Sequence, residues 1–246
     1  MPEGPSLVIL REESSRFVGK TIASAEGNTK ALDLDQLAGQ PIMSMRTFGK
    51  QFLIELPDLA IRIHFLLFGS YRIDERKPDR TARLSLGFDD GTELNFYACS
   101  VREIGNDLDS VYDWSADVMS PSWDAARARK KLRAAPEMLA CDALLDQDIF
   151  AGVGNIIKNE VLFRIRVHPL STIGAMPAPK LRALVEQARE YSFDFLEWKK
   201  KYELKQHWLA HTKTICPRCN IKFSKGVLGR SKRRSFYCER CQKRYS

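Results

Sequence analysis

The period of the apolar positions changes twice along the chain. Leu7, Leu10, Phe17 and Val18, with Ser14 among them, fall on one side of a helix over residues 5–18, and Pro5 sits early in it, where a missing N–H costs nothing. From Thr21 to about Gly105 the chain runs in short stretches rich in Ile, Leu, Phe and Thr, broken by Gly, Pro and Asp. Strands are expected over 21–26, 42–48, 52–56, 60–65, 71–74, 82–88 and 93–98, with Asp89, Asp90 and Gly91 turning the last hairpin. Strands this closely spaced imply a sandwich or barrel. Residues 106–122, acidic and punctuated by Asp, Ser and Pro, read as a connector. Helical spacing then returns over 123–133, 136–145, 154–163 and 179–201, before a short Cys-rich end.

Length and composition fit this division. The 246 residues allow two modest cores, and 44% apolar with 28% charged residues describes a soluble globular chain. The opening MPEGPSLVILREESSR lacks a secretion pattern, and no apolar run is long enough to span a bilayer. A cytoplasmic protein without membrane contact is therefore expected, nucleoid-associated if bacterial.

Charge singles out the end of the chain. Residues 212–246 hold 11 Lys or Arg against Glu239 alone, so this segment carries +10 while the whole chain carries a formal +8, and the preceding 211 residues sum to −2. A local basic patch of this kind suits nucleic acid or an anionic surface. The same segment carries Cys216, Cys219, Cys238 and Cys241 as two CxxC pairs separated by 18 residues. That spacing places four thiolates around one tetrahedral zinc; disulfides would need an oxidising compartment, and a redox dithiol needs only one pair. Four protein ligands close the coordination sphere, so the zinc is structural. Short alternating segments at 221–223 and 235–237 suggest a hairpin with GRSKRR near its bend, a presentation of guanidinium groups suited to phosphate. Cys99 and Cys141 stand in apolar surroundings and read as core.

Two further stretches carry candidate chemistry. In DIFAGVGNIIKNEVLF, Gly152 and Gly154 precede Asn155 and a helical apolar pattern, as in a tight turn that opens a helix and offers N–H groups to an anion. On its own this stretch reads more readily as an ordinary Gly-rich turn with an Asn cap. At the other end, loss of Met1 would leave Pro2 with a free secondary amine whose pKa, about 8 or slightly lower, a following helix depresses further. Such an amine can attack a sugar C1′ and form an iminium ion, with Glu3 beside it to move protons.

Together these pieces resemble the formamidopyrimidine-DNA glycosylase and endonuclease VIII family. The resemblance is carried by MPEGP, GKQFLIEL around Lys50, HFLLFGSYRI around His64, LLDQ with AGVGNI, and FYCERCQ, in the same order over nearly the whole chain. It implies an α+β fold: an N-terminal β-sandwich with a catalytic N-terminal helix (1–112), a linker (113–122), a helix-two-turn-helix domain (123–211) and a zinc finger (212–246). It makes Pro2 the Schiff-base nucleophile, Glu3 the general acid and base, and Lys50 a phosphate contact at the active site. It gives Asn155, with the backbone of Gly152 and Gly154, a grip on DNA phosphates, and Arg233, five residues before Cys238, a phosphate contact from the finger beside the adjacent Arg234. Leu66, Leu67 and Phe68 match the loop that fills the gap left by a flipped base, although they could equally be strand core.

The chain also departs from the family pattern. Ser6 stands where a second glutamate is common, the gap between the CxxC pairs is longer than usual, and Leu66 occupies a position that is polar in endonuclease VIII. VREIG around Arg102 lacks the aromatic of the RRFG element, and 169–214 is short for a loop over an oxidised purine. The last two features favour the endonuclease VIII-like branch. The resemblance thus implies a monomeric bifunctional DNA glycosylase and AP lyase of base excision repair, binding double-stranded DNA with an oxidised base or abasic site in a basic cleft. Oxidised pyrimidines are its expected substrates, followed by β,δ-elimination. Oxidised purines, or a damaged-DNA reader without chemistry, are the alternatives.

Overall fold

A computed structural model describes residues 2–246, so the expected loss of Met1 concerns a residue outside those described. The chain divides into two compact units, Met1–Tyr112 and Asp113–Ser246.

The first unit opens with α1 (Gly4–Ser14), which Pro5 starts and whose Leu7 and Leu10 enter the core. It ends sooner than the apolar spacing suggests, because Ser14 turns its hydroxyl back onto the Leu10 carbonyl at 2.6 Å and a 3-10 turn follows. Eight strands come next: β1 (Ile22–Glu26), β2 (Ser44–Phe48), β3 (Gln51–Glu55), β4 (Ala60–His64), β5 (Ser70–Ile73), β6 (Leu84–Phe88), β7 (Glu93–Tyr97) and β8 (Ser100–Ile104). They form two antiparallel four-stranded sheets, ordered β1-β6-β7-β5 and β2-β3-β4-β8. Apolar residues of both sheets share one core, where the rings of Phe52 on β3 and Phe96 on β7 lie 6.0 Å apart, giving a β-sandwich. Strand β8 is absent from the sequence reading. It is an edge strand, and its exposed Arg102 and Glu103 mask the single buried Val101. The unit closes with the short α2 (Leu108–Val111), capped by the Asp107 side chain.

The second unit holds α3 (Ala125–Arg133), α4 (Ala140–Ala143), α5 (Asn155–Arg164), α6 (Ala178–Lys200) and a hairpin of β9 (Ser224–Leu228) with β10 (Arg233–Tyr237). Three expectations change here. The helix expected over 136–145 shrinks to α4, because Leu139 bridges Thr172 and the amides of Ala140 and Cys141 bond to the carbonyls of Ser171 and Pro169. Residues 113–122 are no open connector: Val118 is fully buried, and the segment pairs with Ala151 through Ala151 N to Ala116 O (2.8 Å) and Val118 N to Ala151 O (3.1 Å). Finally, the hairpin lies at 224–237, after the position read for its first strand.

Within the helical core, α5 packs along α6, with Ile157, Val161, Leu184 and Ala188 all fully buried. No helix among the described residues is long and apolar enough to cross a membrane.

Candidate catalytic terminus and nucleic-acid interface

In the first unit Glu3 stands at the N-cap of α1 with extended backbone; the residue is 1% exposed, and its side chain makes no capping bond to that helix. Pro2, before it, is half-buried. Helix α1 packs on β2 and β3, whose connecting turn carries Gly49, at φ 55°, and Lys50. Tyr112 fixes this turn from below: its ring lies 4.6 Å from that of Phe48 and its hydroxyl donates to Gln51 Oε1 at 2.8 Å. Across the sheet Gln51 pairs with His64, whose imidazole is pushed below its ordinary pKa by burial and by the charges of Lys50 and Arg62. Burial and these two charges thus favour the neutral form of His64. The sequence reading quoted it inside a motif without giving it a role.

Leu66, Leu67 and Phe68 follow β4 and are 52%, 50% and 78% exposed, so they are not strand core. Gly69 lets the loop close, since a Cβ there would meet the Phe65 backbone at 2.8 Å. Three adjacent apolar side chains are thus left facing solvent.

In the second unit the glycine turn is held from behind. Gln147 Oε1 accepts from Gly152 N at 3.2 Å, and its Nε2 donates to the carbonyls of Leu145 and Val153. Gly152, at φ 98°, therefore spends its N–H inside the protein and serves the turn. Gly154 is the N-cap of α5, so Asn155 is its first residue and not the cap that local reading suggests. The Asn155 side chain instead reaches the hairpin: Nδ2 donates to the carbonyl of Arg234 at 3.1 Å, while Oδ1 is buried with no partner among the described residues.

That carbonyl is a hub. Lys158 Nζ and Asn159 Nδ2 donate to it at 3.2 and 3.3 Å; Lys158 also donates to Ser235 Oγ at 2.8 Å, and Asn159 Oδ1 accepts from Phe236 N at 3.1 Å. One residue on, the Glu160 carboxylate accepts from the amides of Leu209, Ala210 and His211 at 2.7–2.9 Å. Lys158, Asn159 and Glu160 are all at most 1% exposed, and periodicity alone did not flag them. Three consecutive polar residues inside an apolar helix were the available signal, because burial of such groups requires partners from other segments.

The four cysteines converge. Their Sγ atoms all lie within 4.8 Å of one another, with Cys216 and Cys238 fully buried, and Cys216 and Cys241 are 3.8 Å apart. A metal–thiolate bond of about 2.3 Å sets a tetrahedral edge of about 3.8 Å, so the group can hold a metal ion. Around it, Gln242 accepts from Cys238 N at 2.9 Å and donates to Val167 O at 2.8 Å, and the Arg218 guanidinium lies 4.0 Å over the Phe163 ring. The hairpin tip is pinned separately, as Asp142 accepts from the amides of Arg230 and Ser231 at 2.9 and 3.1 Å. By contrast Cys99 and Cys141 lie in the two cores, their thiols pushed up to about 12 and about 11 by burial.

Arg233 and Arg234 are both exposed at the start of β10. Alternation puts Arg233 on the strand face of Ser235, which meets Lys158 of α5, and Arg234 on the face of Phe236.

Comparison with known proteins agrees with this arrangement. The formamidopyrimidine-DNA glycosylase N-terminal domain matches residues 1–105, and the formamidopyrimidine-DNA glycosylase H2TH domain matches 116–197. Endonuclease 8-like 3 of Xenopus laevis is 28% identical over 230 residues, covering 86% of this chain and 36% of that protein. Endonuclease 8-like 2 of Bos taurus is 33% identical over 204 residues, covering 76% and 59%. The chain thus spans between a third and three fifths of the length of these relatives. The crystal structure of Lactococcus lactis formamidopyrimidine-DNA glycosylase, bound non-covalently to DNA containing an AP site, gives a TM-score of 0.85 over 98% of this chain and 100% of that one. At 22% identity this likeness shows the shared fold. With both domains matched in order and endonuclease 8-like relatives across most of its length, the chain belongs to the formamidopyrimidine-DNA glycosylase and endonuclease VIII family, on its endonuclease VIII-like side.

Proposed function

We propose that the chain is a bifunctional DNA glycosylase and AP lyase of base excision repair, with Pro2 as nucleophile. The observation that carries this reading is Glu3, a residue 1% exposed that follows Pro2 and whose carboxylate does not cap its own helix. Carboxylates are rarely buried, and one beside a secondary amine can act as both acid and base.

The neutral Pro2 amine attacks C1′ of the damaged nucleotide as the N-glycosidic bond breaks, and the departing base takes a proton. Opening of the sugar ring gives an iminium ion. The Glu3 carboxylate then removes a C2′ proton, whose electron pair expels the 3′ phosphate; a second elimination expels the 5′ phosphate, and hydrolysis frees Pro2. Lys50 holds a phosphate near the reacting sugar. Asn155, Arg233 and the turn around Gly154 grip the strand through the second unit, with Gly152 shaping that turn. Leu66, Leu67 and Phe68 fill the space the flipped base leaves, for which their exposure suits them. The cysteine cluster holds one structural zinc, which the thiolate set favours.

Oxidised pyrimidines are the proposed substrates. Within 169–214, the 23-residue α6 occupies much of the chain, leaving short connections where a long loop over a purine would have to lie. The test is borohydride trapping on duplexes bearing an abasic site, an oxidised pyrimidine or 8-oxoguanine. Adducts on the first two are expected. An adduct on 8-oxoguanine alone would reassign the substrate, and binding without any adduct would make the chain a reader of damage.

A further inference from the structure

Tyr202 is 96% exposed and has φ 60°, a left-handed conformation that side chains rarely adopt. It occupies the position after the C-cap of α6 in a Schellman arrangement, with Tyr202 N bonded to Lys199 O at 3.1 Å and Glu203 N to Trp198 O at 2.8 Å. Glycine is the residue that folding favours here. A tyrosine costs stability at this place, and its nearly complete exposure returns almost no packing. The helix end before it is anchored by packing, as the Trp198 ring stacks on His207 at 4.2 Å and 6° and meets the Tyr191 ring edge-on at 5.7 Å. Charge is also local: between Trp198 and Trp208 stand Lys199, Lys200, Lys201 and Lys205 against Glu203 alone, in a stretch of chain whose net charge is otherwise negative. Lys200, Lys201 and Lys205 are exposed.

We infer that Tyr202 and these lysines form an accessory nucleic-acid contact, in which the ring stacks on an uncovered base and the ammonium groups meet flanking phosphates. This rests on the proposed DNA reading and adds a surface outside the catalytic terminus, the glycine turn and the arginine hairpin. The helix cap sets this backbone, but at 96% exposure packing does not account for a tyrosine in it, and a strained position kept without such a return points to a partner. A solvent-facing aromatic among lysines fits a strand whose bases are unstacked, because every base offers a π-face and every nucleotide a phosphate. In a closed duplex the base faces are covered by their neighbours, so the base must come from a single-stranded run or from a strand end.

The test compares the wild-type protein with Tyr202→Gly and Tyr202→Phe. Binding is read by fluorescence anisotropy on a labelled oligothymidine, a nicked duplex and a closed duplex, and each protein is also trapped on an abasic duplex. Tyr202→Gly should melt at a higher temperature than wild type yet bind the oligothymidine about five- to a hundredfold more weakly, the range expected for losing one base–aromatic stack. Tyr202→Phe should keep the affinity. A matching loss on the nicked duplex assigns a strand end as a second source of the base; loss on the oligothymidine alone assigns the single strand. Unchanged oligothymidine and nicked-duplex binding by Tyr202→Gly, with normal trapping by wild type, overturns this inference and leaves the glycosylase reading standing. Absence of both binding and trapping in wild type overturns both.

Discussion

Asn155 Nδ2 donates to the carbonyl oxygen of Arg234 at 3.1 Å, tying the first residue of α5 to the strand that carries the arginines. Because Lys158 and Asn159 donate to the same oxygen, the glycine turn and the hairpin form one assembly. Asn155→Ala should therefore cost about 1 kcal/mol of stability and weaken binding to an abasic duplex by about tenfold, measured by thermal melting and titration. Full affinity in this variant would remove Asn155 from the grip.

The two arginines should separate in a salt titration. Arg233→Ala is expected to lower the slope of log K against log salt by about 1, the signature of one lost phosphate contact. Arg234→Ala should leave the slope nearly unchanged, since its anchoring group is a backbone carbonyl that alanine retains. The reverse pattern would exchange their roles.

Metal removal should act on the grip before it acts on the sandwich. One equivalent of zinc per chain is expected by elemental analysis, and a chelator should abolish DNA binding while the β-rich first unit keeps its far-UV signal. Gly229→Ala should loosen the same hairpin without touching a ligand: Gly229 has φ 73°, and a Cβ would meet Asp142 Oδ1 at 2.4 Å. A destabilisation of about 1–3 kcal/mol is expected, read by melting.

Acid should weaken the region around His211. Its pKa falls to about 4 through burial and the charge of Lys158, and its Nδ1 stands 3.2 Å from Asn159 Nδ2. The unfolded chain, with a pKa near the ordinary 6.5, takes up a proton in a range where the folded chain does not. Stability is therefore intact above about pH 6.5 and declines as the pH falls toward about 4. Melting temperature should fall over that window in wild type and fall less in His211→Gln.

Much of this architecture could be read from the sequence where local patterns and tertiary demands agree. Alternating strands, Pro5 at a helix start and paired CxxC spacing are of that kind, because backbone geometry or metal coordination imposes them. The misreadings arise where distant backbone supplies the partner. Leu139 bonds toward Thr172 in place of continuing a helix, and Val118 pairs with Ala151 inside a segment whose composition suggests a connector. The partners of Lys158, Asn159 and Glu160 escaped periodicity for the same reason, since they lie about 50 to 77 residues away; only the run of three polar residues inside an apolar helix marked them.

The central claim is that the Pro2 amine carries the chemistry, and the direct measurement is peptide mapping of the species trapped by borohydride on an abasic duplex. The account predicts chains lacking Met1, with the reduced sugar attached to the nitrogen of Pro2 and no trapping when that amine is chemically blocked. A sugar attached to Lys50 or another lysine, or undiminished trapping by chains that retain Met1, would contradict it.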